Sequence, residues 1–261
     1  MDLLVLGSGS SVPHPKRSSS AYWVAAGGGT ILLDCSASSI HRMAQEGCDW
    51  ANLDAIWISH FHLDHCGGLA PLLFGTKYAP ETQNRIKPMY IFGPPGIKGL
   101  VNGFDLVNDY GLLEQPFPLE VVEIEPGRPF EIFDGLKAKS FSTPHTAESS
   151  AIRLEEAGGG SLVYTSDTGY STNLGAFARG VDLLLIECSF VKDKPVEKHL
   201  EVRDVVQMAR FSMAGKIMLT HFYPEWDNVV FSDEVDEISV FGEVIEAIDG
   251  LRLNVGQRPI T

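Results

Sequence analysis

Residues 55–65 read Ala-Ile-Trp-Ile-Ser-His-Phe-His-Leu-Asp-His. No other stretch of the chain restricts its fold as much. The apolar run 55–58 reads as a buried strand, and three histidines and an aspartate crowd into residues 60–65 just beyond it. Packing does not account for imidazole and carboxylate at that density. On extended backbone, side chains at i and i+2 point the same way, so His60 and His62 can share one metal ion. Asp64 and His65, on a turning backbone, can reach a second. Imidazole is the commonest metal ligand and suits Zn, Fe, Cu and Ni. Two ligands per ion are too few, because a zinc with an open position takes three from the protein. The fold must therefore bring further ligands to this strand end.

Three residues elsewhere occupy equivalent places. His145 follows a strand and the Thr143-Pro144 turn, Asp167 follows the apolar run 162–165, and His221 follows 217–220. Each is the first strong ligand after an apolar strand. One histidine at a strand end is most often a surface or capping residue, but three such residues together with the first cluster argue for a site.

The remaining pattern is rich in strands. Short apolar runs at 3–6, 21–25, 30–33 and 89–92 are expected strands, with a Gly-rich hairpin turn at 27–29. Residues 7–17 read as a surface loop with no phosphate-binding spacing. Asp34-Cys35-Ser36 is expected to cap a helix over 37–45. A helix or lid is expected over 65–77, and another helix up to Val107. The second half repeats the theme, with strands at 120–124, 130–133, 136–141, 149–154, 161–165, 183–186 and 216–220. A short helix is expected near 173–179 and an amphipathic one through Val202, Val205, Val206 and Ala209. A second amphipathic helix is expected from Val235 to Ile248, with Asp233 and Glu234 in its first turn, and a last strand at 251–255. No Pro/Ser-rich linker divides the halves, so one domain over 1–261 is expected, α+β in class, with two sheets flanked by helices.

Composition narrows the setting. With 44% hydrophobic residues among 261, the chain suits a globular protein, and no apolar run approaches the ~18 residues of a membrane span, so no membrane partner is expected. The N-terminus reads as a first strand rather than a signal peptide. Cys35, Cys48, Cys66 and Cys188 form no CxxC pair, which suits reduced thiols and a cytoplasmic location. The net charge of −14 argues against non-specific nucleic-acid binding, which needs Lys and Arg on phosphates. Between Lys216 and Arg252 there are nine acidic residues and no Lys or Arg.

The HFHLDH stretch, the distant His145, Ser166-Asp167-Thr168 and Thr220-His221-Phe222 together resemble the metallo-β-lactamase superfamily. The resemblance implies a four-layer αβ/βα sandwich with a dinuclear metal site on one edge of its sheets. By that likeness His60, His62 and His145 would bind one divalent ion, and Asp64, His65 and His221 the other. Asp167 would bridge both. The N and O ligands admit Zn first, with Mn or Fe also suitable. A hydroxide between two such ions is a nucleophile at neutral pH.

Several further stretches are similar to ribonuclease Z and related phosphodiesterases. They are 6–13 with 16–20, the segment 91–96, Glu187-Cys188-Ser189-Phe190, and the path from His199 through a helix to 219–222. In that branch a histidine at this helix start assists the leaving group, which implies His199 as an acid beside catalytic Asp64 and Asp167. Two features depart from ribonuclease Z. Its long tRNA-gripping arm would lie between His145 and Asp167, where this chain has 21 residues, and its His-x-Thr is His199-Leu200-Glu201 here. A small phosphodiester is therefore the expected substrate. Thioester or lactone hydrolysis, as in glyoxalase II or lactonases with the same ligand set, is the alternative, with tRNA 3′-processing and a non-catalytic sensor behind it. A homodimer is left open. Asp34 and Glu187 end apolar strands and are either partners of metal-binding histidines or helix caps. Cys66 reads as a small buried residue, and His14 as a residue that does not contact substrate.

Overall fold

A computed structural model describes residues 1–239 and 241–256; the end of the expected 1–261 span lies outside the described residues. Two seven-stranded sheets form its centre. The first runs β14 (Arg252–Asn254), β1 (Asp2–Gly7), β2 (Ala21–Ala26), β3 (Gly29–Leu33), β4 (Ala55–Trp57), β5 (Met89–Gly93), β6 (Leu119–Glu123). The second runs β13 (Glu243–Glu246), β12 (Lys216–Thr220), β11 (Leu183–Glu187), β10 (Ser161–Tyr164), β9 (Ser150–Glu156), β8 (Leu136–Ser142), β7 (Pro129–Phe133). Each sheet is antiparallel on one side and parallel on the other: β3 to β6 pair parallel in the first, β10 to β13 in the second.

Period-2 alternation divides the strand residues between two apolar layers. Leu3 and Val5 of β1, with Tyr22, Leu33 and Trp57, meet Ile152, Leu154 and Tyr164 of the second sheet in the core between the sheets. Their neighbours Leu4, Leu6, Leu32 and Ile56 face outward. There they meet α1 (Ser39–Gln45) through Met43, α3 (Leu69–Tyr78) through Leu72 and Leu73, and α4 (Ile97–Leu106) through Val101. The second sheet is covered by α5 (Thr172–Phe177) through Leu174, α6 (Val202–Ser212) through Val205 and Met208, and α8 (Asp236–Ser239) through Ile238. Strands buried on both faces read as apolar runs, as 183–186 do in β11, where all five residues including Glu187 are buried. Helix, sheet, sheet and helix are the four layers of the expected sandwich.

Four local expectations are corrected. The helix expected over 235–248 does not form: α7 (Phe231–Glu234) and α8 are single turns, and Val244 and Ile245 lie on β13, parallel to β12. Gly242 explains the break, since a Cβ there would sit 2.8 Å from the Ala214 carbonyl oxygen, and β-branched residues next to it favour a strand. The helix expected over 65–77 is two, α2 (Leu63–Cys66) and α3, divided at Gly67-Gly68. A Cβ on Gly68 would meet the Ser36 carbonyl at 2.3 Å, so that backbone passes where only glycine fits. Asp34-Cys35-Ser36 does not cap α1, which starts at Ser39 without a side-chain cap; the Asp34 carboxylate is committed elsewhere. Residues 7–10 of the expected surface loop are buried, because Asp249 accepts from the Ser8 backbone N–H at 2.9 Å and its hydroxyl at 2.8 Å.

Candidate metal centre

The carboxyl ends of the parallel strands open on one edge of the sandwich, where ligands meet sheets of this kind. β4 leads to His60 and His62, β10 to Asp167, β11 to Glu187 and β12 to His221, while His145 lies on the turn between β8 and β9. The backbone turns sharply to aim them. Asp34 and His221, each directly after a strand, and Ser166, just before Asp167, have φ of 58°, 60° and 55°. Non-glycine residues rarely hold that conformation, at a cost of about 1–3 kcal/mol each. Here surrounding hydrogen bonds fix all three.

All seven sequence-predicted ligands come together. His60, His62, His145 and Asp167 form one donor set, and Asp64, His65, Asp167 and His221 another, with the donor atoms of each set within 4.8 Å of one another. Asp167 faces both. Its Oδ1 lies 3.2 Å from Nε2 of both His65 and His221, and its Oδ2 lies 3.8 Å from His60 Nε2 and 3.6 Å from His145 Nε2. Asp64 Oδ2 is 3.5 Å from Nε2 of His65 and of His221, and His62 Nδ1 is 3.1 Å from His145 Nε2. A tetrahedral ion with bonds of ~2.1 Å has ligand–ligand edges of about 3.4 Å, so these spacings suit donors around a metal. His60 Nε2, His65 Nε2, His221 Nε2 and Asp167 Oδ1 are buried without a hydrogen-bond partner. Buried polar atoms are ordinarily satisfied, and a cation in each donor set would satisfy all four. The donor sets fit divalent metal ions.

A second set of contacts holds the rings. Asp34, fully buried, accepts four hydrogen bonds: from the Ser59 N–H and hydroxyl at 2.8 Å each, from Tyr164 Oη at 2.7 Å and from His65 Nδ1 at 2.7 Å. Ser59 gives its only proton to that carboxylate, the stronger acceptor. Its oxygen therefore accepts from Ser166 Oγ at 2.6 Å and from His60 Nδ1 at 3.0 Å. That places the His60 proton on Nδ1 and its lone pair on Nε2, facing Asp167. His145 Nδ1 donates to the Lys198 carbonyl at 2.9 Å, and His221 Nδ1 to Ser189 Oγ at 2.9 Å. Cys35 N–H donates to the His65 carbonyl and Gly68 N–H to the Cys35 carbonyl, both at 2.7 Å, pinning the ligand turn to the residue after Asp34.

Electrostatics agree with this geometry. Burial, aided by His65, pushes the His60 imidazole well below its usual range, and burial lowers His145 against the pull of Asp167. Both are held neutral, as ligands must be. Burial pushes the carboxyls of Asp64 and Asp167 up, but His221 and His65 outweigh it and hold both low, so both are ionised. Burial lowers His65, yet Asp167 and Asp34 overcome it and raise it well above its usual value. The field that draws a proton to His65 Nε2 draws a metal cation equally.

His199 stands beside the donor sets. Its ring stacks on His221 with centroids 5.4 Å apart and meets His145 edge-on at 4.9 Å. Its Nδ1 donates to Glu187 Oε1 at 3.0 Å, which leaves Nε2 as the nitrogen free to give or take a proton. Burial lowers it, but Glu187 outweighs this and raises it to about 9. Glu187 also accepts from Thr168 N–H at 2.7 Å, Ser189 Oγ at 2.6 Å and Leu200 N–H at 3.1 Å. Of the two readings open for Asp34 and Glu187, the contacts favour partners of site histidines over caps. Cys66 is fully buried. His14 is away from both sets and pairs with Asp227 at 2.6 Å. Sequence reasoning missed Ser59, Ser166, Ser189 and Tyr164. The first two announce themselves only by adjacency to a ligand.

Gly169 sets the width of this edge. A Cβ there would lie 2.3 Å from the Glu197 carbonyl and 3.1 Å from that of Pro144, so Gly169→Ala must push apart the segments carrying His145 and His199. Misplacement of about 1 Å costs ~100-fold in rate, and such a loss in turnover, with a melting point lowered by overpacking, is expected from kinetics and thermal melts of that variant.

Among known proteins, the chain is 28% identical over 244 residues to ribonuclease Z of Mycobacterium bovis (strain BCG / Pasteur 1173P2), covering 86% of each. The metallo-β-lactamase fold protein YhfI from Bacillus subtilis superposes with a TM-score of 0.80 at 22% identity, over 97% of this chain and 98% of that one. Human tRNase Z, short form, gives a TM-score of 0.78 at 22% identity, over 98% and 99%. These two structures show that the fold is that of the metallo-β-lactamases, and the sequence likeness places the chain in the ribonuclease Z and phosphodiesterase branch. The family profile described as Anti-Pycsar protein Apyc1 matches residues 1–241, and this chain therefore belongs to that family.

Proposed function

We propose that the chain is a dinuclear metal-dependent phosphodiesterase acting on a small phosphodiester, carried by one domain over 1–261. The observation that carries this reading is Asp167, whose two oxygens face separate donor sets, with the Nε2 atoms of His65 and His221 on one side and of His60 on the other buried without partners. His60, His62 and His145 would hold one divalent ion, Asp64, His65 and His221 the other, and Asp167 both. Zinc suits the donors, with Mn or Fe as substitutes. Two ions so held supply Lewis acidity and a water of lowered pKa.

The chain's own groups do the rest. Asp64 and Asp167 stay ionised and hold negative charge at the centre, and the Asp34 and Glu187 networks keep the rings from turning. His199 keeps a proton at Nε2 at neutral pH and can pass it to a departing alkoxide. That favours phosphodiester cleavage with an alcohol leaving group over thioester hydrolysis, since a thiolate leaves without a proton. A ribonuclease Z relative supports a phosphodiester bond as the target. A small substrate is favoured by β9 and β10, which a tight turn at 157–160 joins without an arm, and by the net charge of −14.

Replacing His199 tests the assignment. Proton donation is worth about 10²–10⁴ in rate. His199→Ala is expected to slow alkyl-leaving substrates by about that factor and a p-nitrophenol-leaving diester far less, with metal content unchanged. Equal loss on both would remove His199 as the acid. Turnover of a thioester or lactone with none of any phosphodiester would contradict the function itself.

A further inference from the structure

Lys194 lies on the loop between β11 and α6, ahead of His199. Lysine is almost never fully buried unless paired, yet the Lys194 side chain is only 4% exposed. Its Nζ donates to the His199 carbonyl oxygen at 3.2 Å and to Asp204 Oδ2 at 2.7 Å, with Glu197 Oε2 at 3.4 Å. Its backbone N–H donates to Glu201 Oε2 at 2.9 Å. Glu201 and Asp204 are the two halves of the capping box that begins α6. One ammonium thus fastens the backbone of His199 to the first turn of a helix that is packed on the second sheet.

The other side of the same loop forms a wall of the site. The Lys198 carbonyl receives the His145 Nδ1 proton, the Glu197 carbonyl lies against Gly169, and His199 reaches Glu187. Residues 192–198 have no helical or strand hydrogen bonds to hold them. Desolvating an ammonium costs several kcal/mol unless its partners repay it, and a surface loop does not need such an anchor for stability alone.

We infer that Lys194 is a positioning residue, which holds the His199 backbone so that its imidazole meets the leaving group. The inference rests on His199 being the acid of the proposed phosphodiesterase. The test uses methyl aryl phosphodiesters with phenols of graded acidity. Lys194→Met is expected to lower kcat on the most basic leaving group by about 10–100-fold, to change the most acidic one a few-fold or less, and to leave KM within about twofold. Lys194→Arg, which keeps the charge, should recover part of the loss. In a His199→Ala background, Lys194→Met should add less than about twofold, because groups acting through one another are not additive.

Hydrogen–deuterium exchange supplies a readout apart from turnover. Uptake should rise in Lys194→Met over 192–200 and stay unchanged in β10 to β12. Equal loss across the series, additive effects with His199→Ala, or unchanged uptake would each overturn the inference. If His199→Ala is itself unselective, the acid assignment falls and the inference with it. If His199→Ala is selective and Lys194→Met is not, only the inference falls.

Discussion

Asp167→Asn is expected to lower phosphodiester turnover by about 10³-fold or more and to leave the fold intact. The amide keeps the size of the carboxylate but replaces one charged oxygen with an N–H₂ group. That group would face either the His65 and His221 nitrogens or the His60 and His145 nitrogens, and a donor cannot bind a cation. One donor set therefore loses its shared ligand whichever way the amide turns. A metal supplies several kcal/mol of transition-state stabilisation, and each 1.4 kcal/mol is about tenfold in rate. Thermal melts of metal-free Asp167→Asn should remain cooperative but fall below those of the metal-free parent, because His221 and His65 outweigh burial in holding the carboxylate ionised and the amide forgoes that attraction. Kinetics and metal analysis of the same sample would check both parts.

The second large effect is expected at Asp34, outside the donor sets. Asp34→Ala leaves four buried donors without an acceptor: the Ser59 N–H and hydroxyl, Tyr164 Oη and His65 Nδ1. Breaking a buried charged network from one side costs about 3–5 kcal/mol, which for a chain of this size lowers Tm by roughly 10 °C. The carboxylate also fixes the His65 tautomer and, through Ser59, that of His60. Loss of such an outer partner typically weakens metal affinity by about 10–100-fold. Asp34→Asn separates the two consequences. It restores some of the hydrogen bonds and so part of the stability, but an amide nitrogen turned to His65 cannot accept its proton. Melting curves together with chelator competition would distinguish them.

The gathering of the candidate donors was legible because metal chemistry demands particular side chains at particular strand ends. His60 and His62 are two apart on extended chain, Asp167 and His221 each follow an apolar run, and His145 follows an alternating strand and a turn. The strands were legible for a similar reason, since residues such as 183–186 are buried on both faces and are apolar. Less legible was anything decided by backbone approach from a distant segment. Gly68 divides a helix because Ser36, far away in sequence, passes close to it, and Gly242 ends another because of Ala214. The expected helix over 235–248 had an amphipathic period, but its second half pairs with β12, a contact no local pattern contains. Ser59, Ser166 and Ser189 are ordinary serines in the sequence. Only the positions of Asp34 and Glu187 turn them into links between a carboxylate and a histidine.

Metal content measured alongside turnover tests the central claim most directly. Protein stripped with chelator and titrated with Zn or Mn would be analysed for bound metal and assayed on bis(p-nitrophenyl) phosphate. Two ions per chain are expected, with turnover rising as they bind and lost again on stripping. Full turnover by the metal-free protein, or no phosphodiester turnover with two ions bound, would contradict it.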